Sequence, residues 1–371
     1  MPVPETRVLL FGKIPPPYIG PAVATSLLLN SSLRERYGII HLDTSDPRGI
    51  ETLGKFDVQN VLVALRQYAR TAKLLRRHRP GIVYILCAQT TIAYLRDIPF
   101  VLLARLFRAR VVFHLRGGRF RAWYESLGPV MRWIVHVVHP RIHAQIVLGT
   151  NLRGMYEGII PLERVHVVPN GGDYGFRPGQ NNGSDTVTVL YLGNFIPTKG
   201  IMEFMESARL VHGAYRNVRF IAAGNWQDPE TKEAMLSQQE SMRECFTIME
   251  NVAGDAKKEL LENADIFVFP TYYPYEGHPW VIVEAMAAGL PIITTDHAAI
   301  AESVVHGENG FLVEKQSAEA VAEAIEMLLK DESLRMKMGE MSRKRYEEGF
   351  TLDHMVNRLS AVFDHVLQHD S

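Results

Sequence analysis

Cysteine is scarce: Cys87 and Cys245 are the only two in 371 residues, far apart and in no CxxC or Cys/His cluster. That excludes a disulfide framework and a zinc ribbon, and points to a reducing cytoplasm. No Asp-x-Asp pair occurs and no His, Cys or carboxylate grouping has ligand spacing, so neither a metal nor another cofactor is expected. Long apolar runs are also missing. The stretches around Gly81–Leu95 and Ile98–Phe107 are broken by Gln89, Thr90, Thr91, Arg96, Asp97 and Arg105, short of a membrane span. Met1–Gly12 lacks a basic segment followed by an apolar stretch and a small-residue cleavage site, so no signal peptide is expected. No helix-turn-helix, zinc-finger or RNA-recognition signature occurs, which argues against a nucleic-acid partner.

What is present is a globular composition, 47% apolar and 22% charged. The length exceeds what one hydrophobic core usually organises, so two α/β domains are expected. The net charge of −1 conceals a division. Met1–Asn170 carries 23 Lys and Arg against 10 Asp and Glu, and the remainder 17 against 31. A basic amino half suits an anionic membrane surface or a phosphorylated acceptor. Its charge concentrates in Arg66–Arg79, which reads equally as a solvated helix face, and in Arg105–Arg121.

Periodicity gives strands at Arg7–Gly12, Gly81–Cys87, Arg110–Leu115, Ala144–Gly149 and Val165–Val168, with a helix opened by Gly20-Pro21. Tyr174–Asp185, polar and rich in turn formers, is the candidate linker. A second alternation follows. Its strands are Val187–Leu192, Val218–Ala222, Ile266–Pro270 and Pro291–Thr294. Its helices are Ile201–His212, Asp255–Asn263, Trp280–Ala288, Ala318–Lys330 and Glu332–Glu347. Such alternation predicts parallel, doubly wound sheets, with the chemistry on loops at the carboxyl ends of the strands.

The most specific pattern runs from Glu276 to Pro291, EGHPWVIVEAMAAGLP. Glu276 falls on a loop after a strand, Pro279 at a helix start, and Glu284 more than a turn into that helix. The two carboxylates therefore address different parts of one ligand. The pattern resembles the EX7E motif of the retaining GT-B glycosyltransferases, family 4 (glycosyl transferases group 1). The resemblance implies that Glu284 holds the donor ribose hydroxyls and that Glu276 lies beside the transferred sugar. The backbone amides of Gly277, His278, Pro279 and Trp280 correspond to the family segment that contacts the sugar hydroxyls, Pro279 having no N–H of its own. Gly193–Gly200 (GNFIPTKG) is similar to the family's G-R-L-x-x-x-K-G, whose Arg and Lys bind the donor diphosphate. Lys199 matches. Asn194 stands where the family has Arg and brings no charge, which leaves Lys199 alone or calls on Arg116 or Arg119.

His114, in RVVFHLRGGR, sits where many family members carry a His contacting the transferred sugar or the diphosphate. Gly20 falls in the loop where the family backbone nears the donor phosphate. Backbone near Asn251-Val252 corresponds to the base contact. Val168–Asp173 (VPNGGD) and Ala264–Thr271 (ADIFVFPT) resemble two further family segments, so the likeness runs over nearly the whole chain.

The resemblance implies a GT-B fold: two Rossmann-like domains facing each other across a cleft, residues 1–173 for the acceptor and 174–350 for the donor. Residues 351–371 form an amphipathic helix that either crosses back to the amino-terminal domain or packs on its own. The implied activity is metal-independent hexosyl transfer from a UDP- or GDP-sugar with retention of configuration. Glu276, Lys199 and His114 are the catalytic candidates, with Glu276 not assigned as a nucleophile because front-face displacement is favoured in the family. For the acceptor, Arg119–Arg141 mixes arginines with Phe120, Trp123, Tyr124, Trp133 and aliphatics. It reads either as a core helix or as a surface for a membrane interface or lipid-linked acceptor. With the basic half it suggests a glycan or lipid-linked acceptor in cell-surface polysaccharide or lipopolysaccharide synthesis, at the inner face of a bacterial membrane. The alternatives are a GT-B enzyme with a soluble acceptor (a sucrose-type synthase or nucleotide-sugar epimerase) and a non-catalytic sugar-nucleotide-binding protein.

Overall fold

The computed structural model describes residues 6–16, 19–45, 58–177 and 185–369. Pro17 in the first loop, and residues 178–184 of the stretch read as a linker, lie outside the described residues. The chain divides into two units, Met1–Asn170 with Leu352–Ser371, and Gly171–Thr351.

The first unit begins with β1 (Arg7–Gly12), α1 (Gly20–Leu29), α2 (Leu33–Arg36), β2 (Gly38–Asp43), α3 (Val58–His78) and β3 (Ile82–Leu86). It continues through α4 (Thr91–Leu106), β4 (Arg110–His114), α5 (Phe120–Ser126), α6 (Pro129–Val138), β5 (Ala144–Val147) and β6 (Val165–Val167). The six strands are all parallel, in the order β2-β1-β3-β4-β5-β6. Interior strands such as β3 (IVYIL) and β4 (RVVFH) are almost wholly buried, as expected of a parallel sheet covered by helices on both faces.

The second unit contains β7 (Val187–Leu192), α7 (Ile201–Ala214), β8 (Val218–Gly224), α8 (Pro229–Glu240), β9 (Phe246–Glu250) and α9 (Gly254–Glu262). There follow β10 (Ile266–Phe269), α10 (Trp280–Ala287), β11 (Ile292–Thr295), α11 (Ile300–Ser303), β12 (Gly310–Val313), α12 (Ala318–Lys330) and α13 (Glu332–Gly349). Its sheet is again parallel, ordered β12-β11-β10-β7-β8-β9. The strand order reverses between β7 and β10, the topological switch point where open α/β sheets bind ligands.

The last helix, α14 (Leu352–Gln368), belongs to the first unit. It buries Met355, Val356, Leu359, Val362, Phe363 and Val366. Phe363 meets Tyr37 and Tyr84 edge-on at 5.5 and 5.8 Å. Tyr37 Oη lies 2.5 Å from Asp364 Oδ1, and Arg36 donates to Asn357 Oδ1 at 2.7 Å. The segments that enter and leave the second unit lie side by side. Gly172 N–H donates to Phe350 O, and Tyr346 Oη donates to Gly172 O at 2.7 Å.

The two basic stretches part ways. In Arg66–Arg79 the six Lys and Arg are exposed while Thr71 and Leu75 point inward, a solvated face of α3. Arg119–Arg141 divides between the two readings open to it. α5 buries Phe120 and Trp123 in the core, whereas α6 buries Val135 and Val138 and leaves Val130 and Trp133 70% and 65% exposed.

Candidate functional site

At the switch point of the second unit, the loops after β7 and β10 are tied together. Tyr272 N–H donates to Thr198 O at 2.8 Å. Lys199 ends a 3-10 turn, Pro197–Lys199, and the chain must then reverse into α7. Gly200 makes that turn with φ of +80°, and a Cβ there would stand 2.4 Å from Pro270 O. Only glycine fits both demands. The result sets Lys199 Nζ 3.3 Å from Glu276 Oε2, an ionic contact and not an aligned hydrogen bond. The ammonium also lies over the rings of Phe269 and Tyr273, at 5.7 and 5.2 Å from their centroids. A cation held by one carboxylate and two ring faces is ordered yet still has protons to donate.

Beyond Glu276, Gly277, His278 and Pro279 are buried, with Pro279 as the N-cap of α10 and Trp280 as its first residue. His278 turns inward, its Nε2 2.6 Å from Ser303 Oγ. Gly277 O accepts from Ala299 N–H. The loop is thus fixed from behind, which keeps its backbone available at the strand ends. One turn on, Glu284 is buried on α10 with Oε1 2.6 Å from Lys257 Nζ. Its Oε2 is buried without a hydrogen-bond partner. Burial raises the Glu284 carboxyl above its ordinary range, and the Lys257 ammonium opposes that rise.

Asn194 follows β7 half-buried, its carbonyl accepting from Ile196 N–H. Val252 follows β9, and the adjacent Asn251, at φ of +56°, donates its N–H to Asn225 Oδ1 at 3.3 Å. The ends of β7, β9 and β10 therefore carry, in one unit, Asn194, Lys199, Val252, Glu276 and the Gly277–Glu284 segment.

The first unit holds the remaining candidates. His114 ends β4 fully buried. Tyr84, from the neighbouring strand, has its Oη 2.6 Å from His114 Nδ1. Arg116 Nη2 donates to the same Oη at 3.4 Å, and Arg116 Nη1 donates to Asn170 Oδ1 at 2.6 Å. Arg116 donating into Oη leaves the phenol proton available to Nδ1, the arrangement that puts the imidazole proton on Nε2. Burial, reinforced by the Arg116 charge, holds the His114 pKa well below its ordinary value. A neutral imidazole can donate one hydrogen bond but supplies no positive charge. Its Nε2 is buried without a partner. Gly117 is where Gln89 packs under the loop, for a Cβ there would lie 2.1 Å from Gln89 Nε2. Gln89 Oε1 accepts from Arg119 N–H, and Arg119 is exposed. Gly20 is the first residue of α1, half-buried.

Lys257, Tyr84 and Gln89 were not singled out by the sequence. Each stands in an ordinary local context and acquires its partner only through sheet topology. Among the described residues no group of three or more His, Cys, Asp or Glu could hold a metal ion. Among them, too, no helix is long and apolar enough to cross a membrane.

The chain resembles known proteins in sequence and in fold. Residues 176–345 match the family model described as glycosyl transferases group 1. Among curated proteins, the capsular polysaccharide biosynthesis glycosyltransferase CapM of Staphylococcus aureus is 31% identical over 189 residues, 50% of this chain and 48% of CapM. The chain spans about half the length of curated relatives such as CapM. Among solved structures, HepE of Anabaena in complex with UDP and glucose superposes with a TM-score of 0.76 at 16% identity, covering 97% of this chain and 100% of HepE. Sucrose-phosphate synthase of Thermosynechococcus elongatus superposes with a TM-score of 0.77 at 16% identity, over 98% and 100% of the two chains. At such identity these structures speak for fold alone. Residues 176–345 thus resemble the glycosyl transferases group 1 family, within a chain whose two parallel six-stranded sheets share the GT-B fold of the HepE and sucrose-phosphate synthase structures.

Proposed function

We propose that the protein is a retaining, metal-independent glycosyltransferase of family 4 that takes a hexose from a nucleoside-diphosphate sugar. The observation that carries this reading is the pairing of Lys199 with Glu276 at the switch point of the second unit, on the loop that leads into α10 and its buried Glu284. Glu284 takes the ribose hydroxyls. Lys199 leaves Glu276 for the diphosphate and stabilises the charge that develops on the leaving group, the part a divalent ion plays elsewhere. Glu276 and the amides of Gly277, His278 and Trp280 face the sugar. Asn194 adds a hydrogen bond but no charge, and Arg116 or Arg119 is the candidate to supplement it. His114 donates through Nε2 to the sugar or diphosphate, and Gly20, at the start of α1, lies beside the phosphates.

The acceptor in this reading is a glycan or lipid-linked saccharide of cell-surface polysaccharide or lipopolysaccharide synthesis, met at the cytoplasmic face of a membrane. Support comes from the basic amino half, the exposed Val130 and Trp133 on α6, and the likeness to CapM. Flotation with vesicles of anionic and of neutral lipid tests the membrane part. Absence of binding to the anionic vesicles at low salt would remove it.

The donor site is tested by thermal shift with UDP, GDP, ADP and CMP in EDTA, on wild type and Glu284→Ala. UDP comes first because HepE binds it. At 100 times its dissociation constant a nucleotide stabilises by about 2.7 kcal/mol. A shift confined to wild type supports the reading, and no shift with any nucleotide sinks it. Asn194, uncharged where the family has Arg, favours one second reading: a protein that binds the nucleotide sugar without transferring it. Binding with neither transfer nor slow donor hydrolysis would establish that instead.

A further inference from the structure

Lys257 lies on α9, in the run Asp255-Ala256-Lys257-Lys258-Glu259, where nothing in the sequence separates it from a surface lysine. The fold brings its Nζ to 2.6 Å from Glu284 Oε1, across 27 positions of sequence, with Glu284 largely withdrawn from water and Lys257 31% exposed. Glu284 Oε2 is buried and has no hydrogen-bond partner. One oxygen of the carboxylate is thus taken and the other is open. A carboxylate oxygen accepts more than one hydrogen bond, so Lys257 need not withdraw when a ligand arrives.

We infer that Lys257 is a positioning residue of the donor site, clamping Glu284 by Oε1 so that Oε2 accepts from the vicinal diol of a nucleoside. The inference rests on the reading of the second unit as the donor site. A carboxylate taken out of water tends to keep its proton, and a protonated carboxyl loses acceptor capacity. Lys257 opposes this by stabilising the ionised form, while its hydrogen bond fixes the rotamer. The other groups near Glu284 do not replace it. Tyr174, in the segment entering the second unit, is buried, neutral and without a partner for its Oη. Near Tyr174 lie Asp173 and Tyr346, neither a cation. On α13, Arg343 is committed to Ala287 O and to Glu347. Among the described residues, the charge that offsets burial at Glu284 is that of Lys257.

The test measures affinity by calorimetry between pH 6 and pH 9. The probe is whichever of UDP, GDP, ADP and CMP binds wild type, together with its 2′-deoxy counterpart. Lys257→Met is expected to bind the ribonucleotide about ten-fold more weakly at pH 7, the loss of the one charge-assisted hydrogen bond that orients Glu284. Ionised Glu284 binds, so affinity is lost as pH falls through its pKa. Lys257→Met moves the loss to higher pH and recovers toward wild type at pH 9. Its preference for ribo- over 2′-deoxynucleotide narrows, because Glu284 is no longer aimed. Lys257→Arg keeps the charge and restores most of the affinity. Lys258→Met, whose partner is Glu262 at 3.8 Å, leaves binding unchanged. The unfolding midpoint of each variant without nucleotide shows that it is folded.

A folded Lys257→Met with wild-type affinity, pH profile and ribose preference overturns the inference. So does tighter binding, which would make Lys257 a competitor for Glu284. Wild type that binds none of the four nucleotides overturns the donor-site reading and this inference with it.

Discussion

The two units solve the same structural problem with opposite electrostatics. Both place functional candidates where parallel strands end. In the second unit those candidates are charged and paired, Lys199 with Glu276 and Lys257 with Glu284. In the first, the group at the strand end is a neutral imidazole, held by a phenol that receives a guanidinium from behind. Paired charges at low exposure can be re-partnered by an anionic ligand at little reorganisation cost. A neutral, fully buried hydrogen-bond chain can orient a donor but cannot follow a developing charge. On the function proposed above, the difference marks the second unit as the main seat of the diphosphate: charge is stored where charge would be met.

The largest test of that contrast is Lys199→Ala. Removal of a cation aimed at the leaving group is expected to slow transfer on the order of 10²- to 10³-fold, about 3 to 4 kcal/mol of barrier. Transfer that falls less than ten-fold would break the assignment of charge to the second unit.

Next comes acid. Burial holds His114, His139, His143 and His166 of the first unit below their ordinary pKa, His139 at about 3 and His143 at about 4. A lowered folded pKa means that the unfolded chain takes the proton first, so stability is present above the unfolded value and declines as pH falls below it. For His139 alone, the loss between pH 7 and pH 5 is about 2 kcal/mol. Glu284 has the reverse sign: its raised folded pKa makes acidification favourable to the folded state at that position. Hydrogen exchange followed by mass spectrometry at the two pH values, corrected for intrinsic rates, should show protection lost chiefly in peptides of the first unit. Equal loss in both would erase the distinction.

The smallest effect is expected from Tyr84→Phe. It deletes one hydrogen bond to His114, worth about 1 kcal/mol, and frees the imidazole to exchange tautomers. Transfer should slow about five-fold, with nucleotide binding to the second unit untouched. A loss as large as that of Lys199→Ala would mean that the first unit contributes far more than orientation.

The strands legible in the sequence are chiefly interior ones, and the reason is physical. β1, β3, β4, β7, β10 and β11 are covered on both faces and read as nearly continuous apolar runs. β2, β9 and β12 lie outside the strands that periodicity gives, and all three are sheet edges and partly exposed; β2 and β9 are compositionally mixed, and β12 has only four residues. The candidate site divides in the same way. Glu276, Glu284 and Lys199 lie in local patterns whose turns and caps are written beside them. Lys257 and Tyr84 find Glu284 and His114 through strand order, which no window of sequence displays.

The return of α14 to the first unit gives the chain an unusual order of assembly. On the ribosome the first unit is begun before the second and completed after it. Its seat for Phe363, formed by Tyr37 and Tyr84, waits open while all of the second unit is synthesised. A nascent chain arrested after Thr351 would carry a whole second unit and an unfinished first one. It would expose an apolar face beside the tyrosine that steadies His114, so that sheet's cover is completed only after the whole second unit has been made.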